Sequence, residues 1–164
     1  MVTKKQFAEI TKEHQEHILA ALFKAEHKTF TNIKVGLDID TSKAYSIRVA
    51  VILMCELPDE IVKKIFVIQQ DSNKFISKLD VAEFSEYAAE LEKTGFFVPE
   101  RDDLVVITPE DVPVEAYKNL RGKIIFMSID TVLKGLDDKY EDNRELRDVL
   151  RHYGFVREKN DDSY

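Results

Sequence analysis

The sequence predicts an α/β fold in which a mixed central sheet is flanked by helices. Three observations carry this prediction: an amphipathic helical period near the N-terminus, three successive strand-like segments with short polar links, and a second half in which helical patterns alternate with short apolar runs. The expected order of elements is α-β-β-β-α-β-(α)-β-α. With 164 residues, 44% of them hydrophobic, the chain is long enough for one domain with a proper core, and it shows no repeat, linker or low-complexity segment.

The first half predicts a helix followed by an antiparallel meander. Apolar residues recur near helical spacing over residues 4–27, with lysines and glutamates between them. Three strand candidates follow, Asn32–Asp40, Tyr45–Leu57 and Ile61–Gln70, each rich in β-branched residues. Because the links between them are short and polar, we expect consecutive strands to pair antiparallel.

The next part of the chain predicts a helix, a buried strand and a further short helix. Asp80 is expected to cap the helix, with Glu83 three residues later completing a capping box, and Gly95 is expected to stop it. The run Leu104–Thr108 is almost entirely apolar, which is typical of a strand covered on both faces. A short helix is expected around Val114–Leu120.

The C-terminal part predicts one more strand and two helices. The segment KIIFMSI, residues 123–129, indicates a buried strand, and Asp130 is expected to cap the helix that begins TVLKGL. The range Glu141–Tyr153 predicts a charged helix with two leucines and a valine as its apolar residues. Residues 156–164 are expected to form a frayed tail.

Composition and charge restrict the functional classes. The net charge is −7 and the pI is near 5.2, whereas a protein that holds nucleic acid through phosphates needs a basic surface, so any DNA-binding face must be a local basic patch. The single cysteine, Cys55, excludes an intrachain disulfide and a thiolate cluster for zinc. No apolar run approaches the roughly 20 residues that span a bilayer, and the N-terminus lacks an apolar signal core. We therefore expect a cytoplasmic protein without membrane contact.

The stretch FVIQQDSNKF, residues 66–75, is unusual because a strand of branched and aromatic residues ends there in two glutamines and an aspartate. The segments LDVAEFSEYAAELEKTG, VVIT and KIIFMSIDTVLKGL follow it in order. This succession resembles the catalytic domain of Mrr-type restriction endonucleases, within the PD-(D/E)xK nuclease superfamily. The resemblance covers residues 65–136 and, more weakly, residues 33–40, where GLDI is similar to that family's Gly-Ile-Asp-Val.

The resemblance implies a restriction-endonuclease-like single domain and magnesium-dependent cleavage of DNA. It places Asp38 at the metal-binding aspartate and Gln69 at the second ligand position, through its amide oxygen. Asp71 stands where the family has a lysine, which makes Asp71 an auxiliary metal ligand and Lys74 the candidate cation. If the strands carrying Asp38 and Gln69 are neighbours, their ends lie about 5 Å apart, and oxygen ligands suit magnesium, which supplies hydroxide from bound water. Nuclease relatives also suggest a homodimer.

Three interpretations stay open at this point. The chain is an active metal-dependent nuclease, or it is a nuclease fold that has lost catalysis and binds DNA or a protein partner; as a non-catalytic interaction protein it would bind another protein, not DNA, through its acidic surface. In the third interpretation it is an unrelated α/β domain, and Asp38, Gln69 and Asp71 are solvated strand ends. The resemblance favours the first two, a nuclease-related protein of DNA processing or defence.

Overall fold

The computed structural model describes residues 2–69, 78–112 and 124–155, with the backbone alone described at residues 78–82. The described helices are α1 (Lys4–Glu9), α2 (Lys12–Glu26), α3 (Lys78–Lys93), α4 (Ile129–Lys139) and α5 (Arg144–His152). The described strands are β1 (Asn32–Asp40), β2 (Ser46–Leu57), β3 (Glu60–Gln69), β4 (Asp103–Thr108) and β5 (Ile124–Ser128).

The five described strands form one mixed sheet in the order β1-β2-β3-β4-β5. β2 pairs antiparallel with β1 and β3, and β4 and β5 extend the sheet parallel to β3. Leu53 in the middle of β2 lies opposite Ile33 on one side and Ile65 on the other. The expected antiparallel meander and mixed α/β sheet are therefore confirmed, and each strand begins and ends within one residue of its predicted position.

Side chains alternate between the two faces of the sheet, and helices cover both faces. On β3, Ile65 and Val67 pack on one side, whereas Phe66 and Ile68 pack on the other. Residues of α1, α2, α4 and α5 cover the first face, and α3 covers the second through side chains such as Phe84. Because fully burying an aliphatic or aromatic side chain contributes about 1.5–3 kcal/mol, these two layers hold the sheet between the helices.

The single helix predicted over residues 4–27 is wrong, because the chain forms two helices with a break before Thr11. Thr11 has an extended backbone, and its hydroxyl accepts a hydrogen bond from the His14 N–H at 3.2 Å. Gln15 turns back and donates from Nε2 to the Phe7 carbonyl at 2.8 Å. Polar groups left free by the break are thus paired, so the break interrupts the helix at little cost while the apolar stripe continues across it.

Two residues predicted as N-caps lie inside their helices. α3 begins at Lys78, so Asp80 belongs to its first turn. α4 is capped by Ser128, whose hydroxyl accepts from the Thr131 N–H at 3.3 Å, and Asp130 lies in the first turn. A carboxylate stabilises the positive end of a helix from either position, which is why the sequence pattern did not separate them.

The remaining predictions at the C-terminal side fall into two groups. The predicted helix around Val114–Leu120 and the tail at 156–164 lie outside the described residues. The last helix is shorter than expected and begins after Asn143, whose side chain accepts from the Leu146 N–H at 2.9 Å.

Within the described ranges, no helix combines the length and the apolar character needed to cross a bilayer.

Candidate functional site

The strands that carry the two predicted metal ligands are not neighbours. Asp38 lies on β1 and Gln69 ends β3, and β2 lies between these strands. In a meander the first and third strands flank the second, which puts them about 10 Å apart. The expectation that the two strand ends lie side by side is therefore wrong.

Asp38 belongs to an ion-pair network that joins the sheet to α2. Its register partner on β2 is Arg48, whose Nη1 donates to Asp38 Oδ2 at 3.1 Å. The same guanidinium donates from Nε and Nη2 to the two carboxylate oxygens of Glu16, at 2.9 and 2.8 Å. Glu16 is only 1% exposed, whereas the Asp38 side chain is 63% exposed. We call Glu16, Arg48 and Asp38 the Arg48 network.

The Arg48 network joins two carboxylates to one guanidinium, so it keeps one net negative charge. Hydrogen bonding to Glu16, with the negative charges of Glu16 and Asp38, raises the pKa of the Arg48 guanidinium despite its burial. A bidentate arginine–carboxylate pair of this geometry is a strong charge-assisted interaction. Arg48 thus compensates the buried Glu16, while the exposed Asp38 receives a single hydrogen bond from the same cation.

Gly36 makes room for the Arg48 network. It lies within β1 and has a φ of 65°, a conformation that L side chains rarely adopt. A Cβ at this position would lie 2.8 Å from Arg48 Nη2 and 3.0 Å from Glu16 Oε1. The backbone conformation therefore favours glycine, and an added Cβ would have to displace the end of the Arg48 side chain.

Gln69 lies in a second polar arrangement, built from two glutamine side chains. Gln15 donates from Nε2 to the Phe7 carbonyl, which turns its Oε1 toward Gln69, and Gln69 Nε2 donates to that oxygen at 3.2 Å. The orientation of both amides follows from this chain of hydrogen bonds. As a result, Gln69 Oε1 is buried and has no hydrogen-bond partner among the described residues.

Gln69 also lines a cavity of about 500 Å³ at the carboxyl ends of β3 and β4, which we call the strand-end cavity. Phe7, Ile107 and Ile129 give it apolar walls. Lys4 also lines the cavity, and its Nζ lies 3.0 Å from Asp130 Oδ2 and 3.7 Å from Glu110 Oε1. Clefts at the carboxyl ends of strands are the usual ligand sites of α/β sheets.

Lys4, Lys12 and Glu110 are the charged side chains that line the strand-end cavity among the described residues. The hydrogen bond to Asp130 raises the pKa of Lys4, with a smaller contribution from Glu110. Thr108, buried at the end of β4, donates from its hydroxyl to the Glu110 carbonyl at 2.6 Å and fixes the turn that follows the strand. The rim is therefore polar, while the walls are apolar.

The described residues do not fit the magnesium site that the resemblance implies. Asp38 and Gln69 line different cavities, and each is bound by another side chain. A search of the described part of the chain finds no group of three or more His, Cys, Asp or Glu side chains able to hold a metal ion. Asp71 and Lys74 lie outside the described residues, so their roles stay predictions.

Sequence reasoning missed three residues of these sites. The sequence pattern predicts only a strand position for Arg48 and a helix position for Glu16, although Gly36 in mid-strand indicates a close approach to the β1 backbone. The predicted single helix makes Gln15 an ordinary polar helix residue, whereas the break before Thr11 leaves carbonyls such as that of Phe7 available to its side chain.

Comparison of the chain with protein families, with curated proteins and with solved structures finds no match.

Proposed function

We propose that the chain is a nuclease-related α/β protein that acts by binding a protein partner in the strand-end cavity, not by cleaving DNA through Asp38 and Gln69. The observation that carries the proposal is the buried Gln69 Oε1, which the Gln15–Gln69 hydrogen bonds hold as a free acceptor within the described residues. The helix–meander–helix–strand order supports the nuclease relationship, since the resemblance implies that core.

Cleavage through Asp38 and Gln69 is disfavoured on electrostatic and geometric grounds. Magnesium holds its ligands at about 2.0–2.1 Å, so two ligand oxygens of one ion lie close together, whereas β2 separates the strands that carry these residues. An ion at Asp38 would also have to compete with Arg48, which in turn neutralises the buried Glu16. The net charge of −7 adds a general repulsion toward DNA.

The ligand chemistry follows from the lining of the strand-end cavity. Gln69 Oε1 lacks a donor within the described residues but is buried, so a ligand N–H must displace neighbouring side chains to reach it, and the walls formed by Phe7, Ile107 and Ile129 accept an apolar side chain. A peptide segment provides both, with a backbone N–H next to an apolar side chain. Lys4 and the carboxylates beside it give the rim charges of both signs for the flanking residues of such a segment.

A peptide-display selection tests the binding function directly. Peptides selected from a random library on the purified protein are measured by fluorescence anisotropy against wild type, Gln69→Met and Glu60→Met. Loss of a buried hydrogen bond costs about 1–1.5 kcal/mol, so we expect Gln69→Met to weaken binding about tenfold. Glu60→Met, an exposed position at the opposite end of β3, should leave it unchanged. Failure to enrich peptides above a control protein, or equal binding by Gln69→Met, would overturn the proposal.

A cleavage assay tests the catalytic alternative. Plasmid DNA is incubated with the wild type and with Asp38→Ala in magnesium or manganese, and Tm is recorded with and without each metal. We expect no cleavage by either protein and no metal-dependent shift in Tm. Cleavage by the wild type that is lost in Asp38→Ala would restore the nuclease interpretation.

A further inference from the structure

Lys64 places an amine in a groove of mixed polarity on the face of the sheet opposite α2, where Asp38 and Asp40 of β1 also line the groove. It lies within β3 next to Phe66, and it is only 9% exposed. The groove has a volume of about 650 Å³, and its apolar surface includes Ile52, Met54 and Phe66. We call it the Lys64 groove. A charged lysine is rarely buried to this extent without a carboxylate partner.

The charged groups around Lys64 do not compensate its charge fully. Asp102 is completely buried, but both its carboxylate oxygens accept hydrogen bonds from the Arg101 guanidinium. Asp102 Oδ1 also accepts the backbone N–H of Lys64, not its Nζ. Lys34 on β1 adds a further positive charge to that of Arg101, and Glu56 on β2 adds a negative one.

The Lys64 Nζ donates to the Phe96 carbonyl at 3.1 Å. Burial, together with Arg101 and Lys34, lowers the pKa of Lys64 in spite of Asp102 and Glu56. A neutral amine still has an N–H for the Phe96 carbonyl, and its lone pair is then available. Desolvation in a hydrophobic pocket is one of the ways in which proteins activate lysine as a nucleophile.

We propose that Lys64 is a reactive amine that forms a Schiff base with an aldehyde whose apolar body occupies the Lys64 groove. The neutral amine adds to the carbonyl carbon, and the carbonyl oxygen takes up a proton to give a carbinolamine. Loss of this hydroxyl as water, with the second proton of the amine, leaves the C=N bond. The overall change is amine plus aldehyde to imine plus water. This site is separate from the strand-end cavity and does not depend on the function proposed there.

Reductive trapping tests the assignment. The folded protein is incubated with hexanal and cyanoborohydride, which reduces the imine to a stable secondary amine, and the labelled lysines are quantified by peptide mass spectrometry. Lys63 is the matched control, because it neighbours Lys64 on β3 but is ion-paired with Asp103 at 2.8 Å and more exposed. At pH 7 we expect Lys64 to be labelled severalfold faster than Lys63. The difference should shrink as the pH approaches the pKa of an ordinary lysine, about 10.4.

Two controls separate a built site from general lysine chemistry. In urea-unfolded protein, Lys64 and Lys63 should be labelled at equal rates, and in Lys64→Arg the label at position 64 should vanish while that at Lys63 is unchanged. Labelling of Lys64 no faster than Lys63 in the folded protein would overturn the proposal. Retention of the preference for Lys64 in urea would overturn it equally, since the groove would then not be its cause.

Discussion

Replacing Arg48 with methionine is the most demanding test of the Arg48 network, because it removes the partner of a buried carboxylate. Both oxygens of Glu16 accept hydrogen bonds from Arg48, at 2.9 and 2.8 Å, and Glu16 is 1% exposed. Methionine retains most of the apolar stem of arginine. The substitution therefore deletes the charge and the hydrogen bonds while preserving much of the packing.

The size of the effect follows from the burial of the two partners. Removing one member of a buried ion pair costs about 3–5 kcal/mol. The Arg48 side chain is 36% exposed, so water can reach Glu16 in the variant, and we expect a loss of about 2–4 kcal/mol. Folded proteins have a free energy of unfolding of about 5–15 kcal/mol, so the variant should still fold with a clearly lower midpoint.

Urea unfolding followed by circular dichroism measures this loss. The slope of the transition should be unchanged while the midpoint falls. In the double variant Glu16→Leu/Arg48→Met, most of the stability should return, because no buried charge remains. Lys24→Met is the matched control, since it breaks the exposed pair with Glu145 and should cost less than about 1 kcal/mol. An equally small cost for Arg48→Met would refute the role assigned to the network.

Three further variants test other parts of the structure. A left-handed backbone alone costs a non-glycine residue about 1–2 kcal/mol. Gly36→Ala should destabilise the fold by more than this, because the new Cβ also meets the end of the Arg48 side chain. An unchanged urea midpoint would contradict this prediction. Burial alone would raise the pKa of Asp102, but hydrogen bonds from Arg101 and from two backbone amides outweigh burial and lower this pKa. The ionised Asp102 therefore stabilises the fold above the pKa of an unfolded aspartate, about 3.9. This stabilisation is lost as the pH falls below that value. Asp102→Asn should therefore lower Tm at pH 7 and have a smaller effect toward pH 3, whereas a pH-independent difference would argue against the assigned charge. Thr11→Ala should cost about 1 kcal/mol through loss of a helix cap, and urea unfolding that shows no loss would contradict the break before α2.

The sheet could be predicted from the sequence because its signals are local. β-branched residues with short polar links defined β1, β2 and β3 to within one residue. The break before Thr11 was missed because the apolar period continues across it, and a threonine in a helical pattern does not by itself indicate a cap. Local signals therefore define the strands, including their ends, better than they define a break within a helical pattern.

The candidate site could not be predicted in the same way. The distance between Asp38 and Gln69 depends on which strands are neighbours, and a carboxylate at a strand end looks the same whether it faces a metal or an arginine. Arg48 and Glu16 are 32 positions apart in the sequence, and no periodic pattern of residues indicates that two such side chains are in contact. Long-range electrostatic partners are thus decided by packing, which one sequence does not reveal.

Paramagnetic broadening by Mn²⁺ in amide NMR spectra tests the central claim most directly, because it reports proximity to a bound ion residue by residue. We expect only weak broadening that does not saturate at stoichiometric Mn²⁺, that lies near exposed carboxylates including Asp38, and that is lost on addition of salt. Saturable broadening around Asp38 and Gln69 at substoichiometric Mn²⁺, abolished both by Asp38→Ala and by Gln69→Met, would show a shared metal site and contradict a binding function without metal-dependent cleavage.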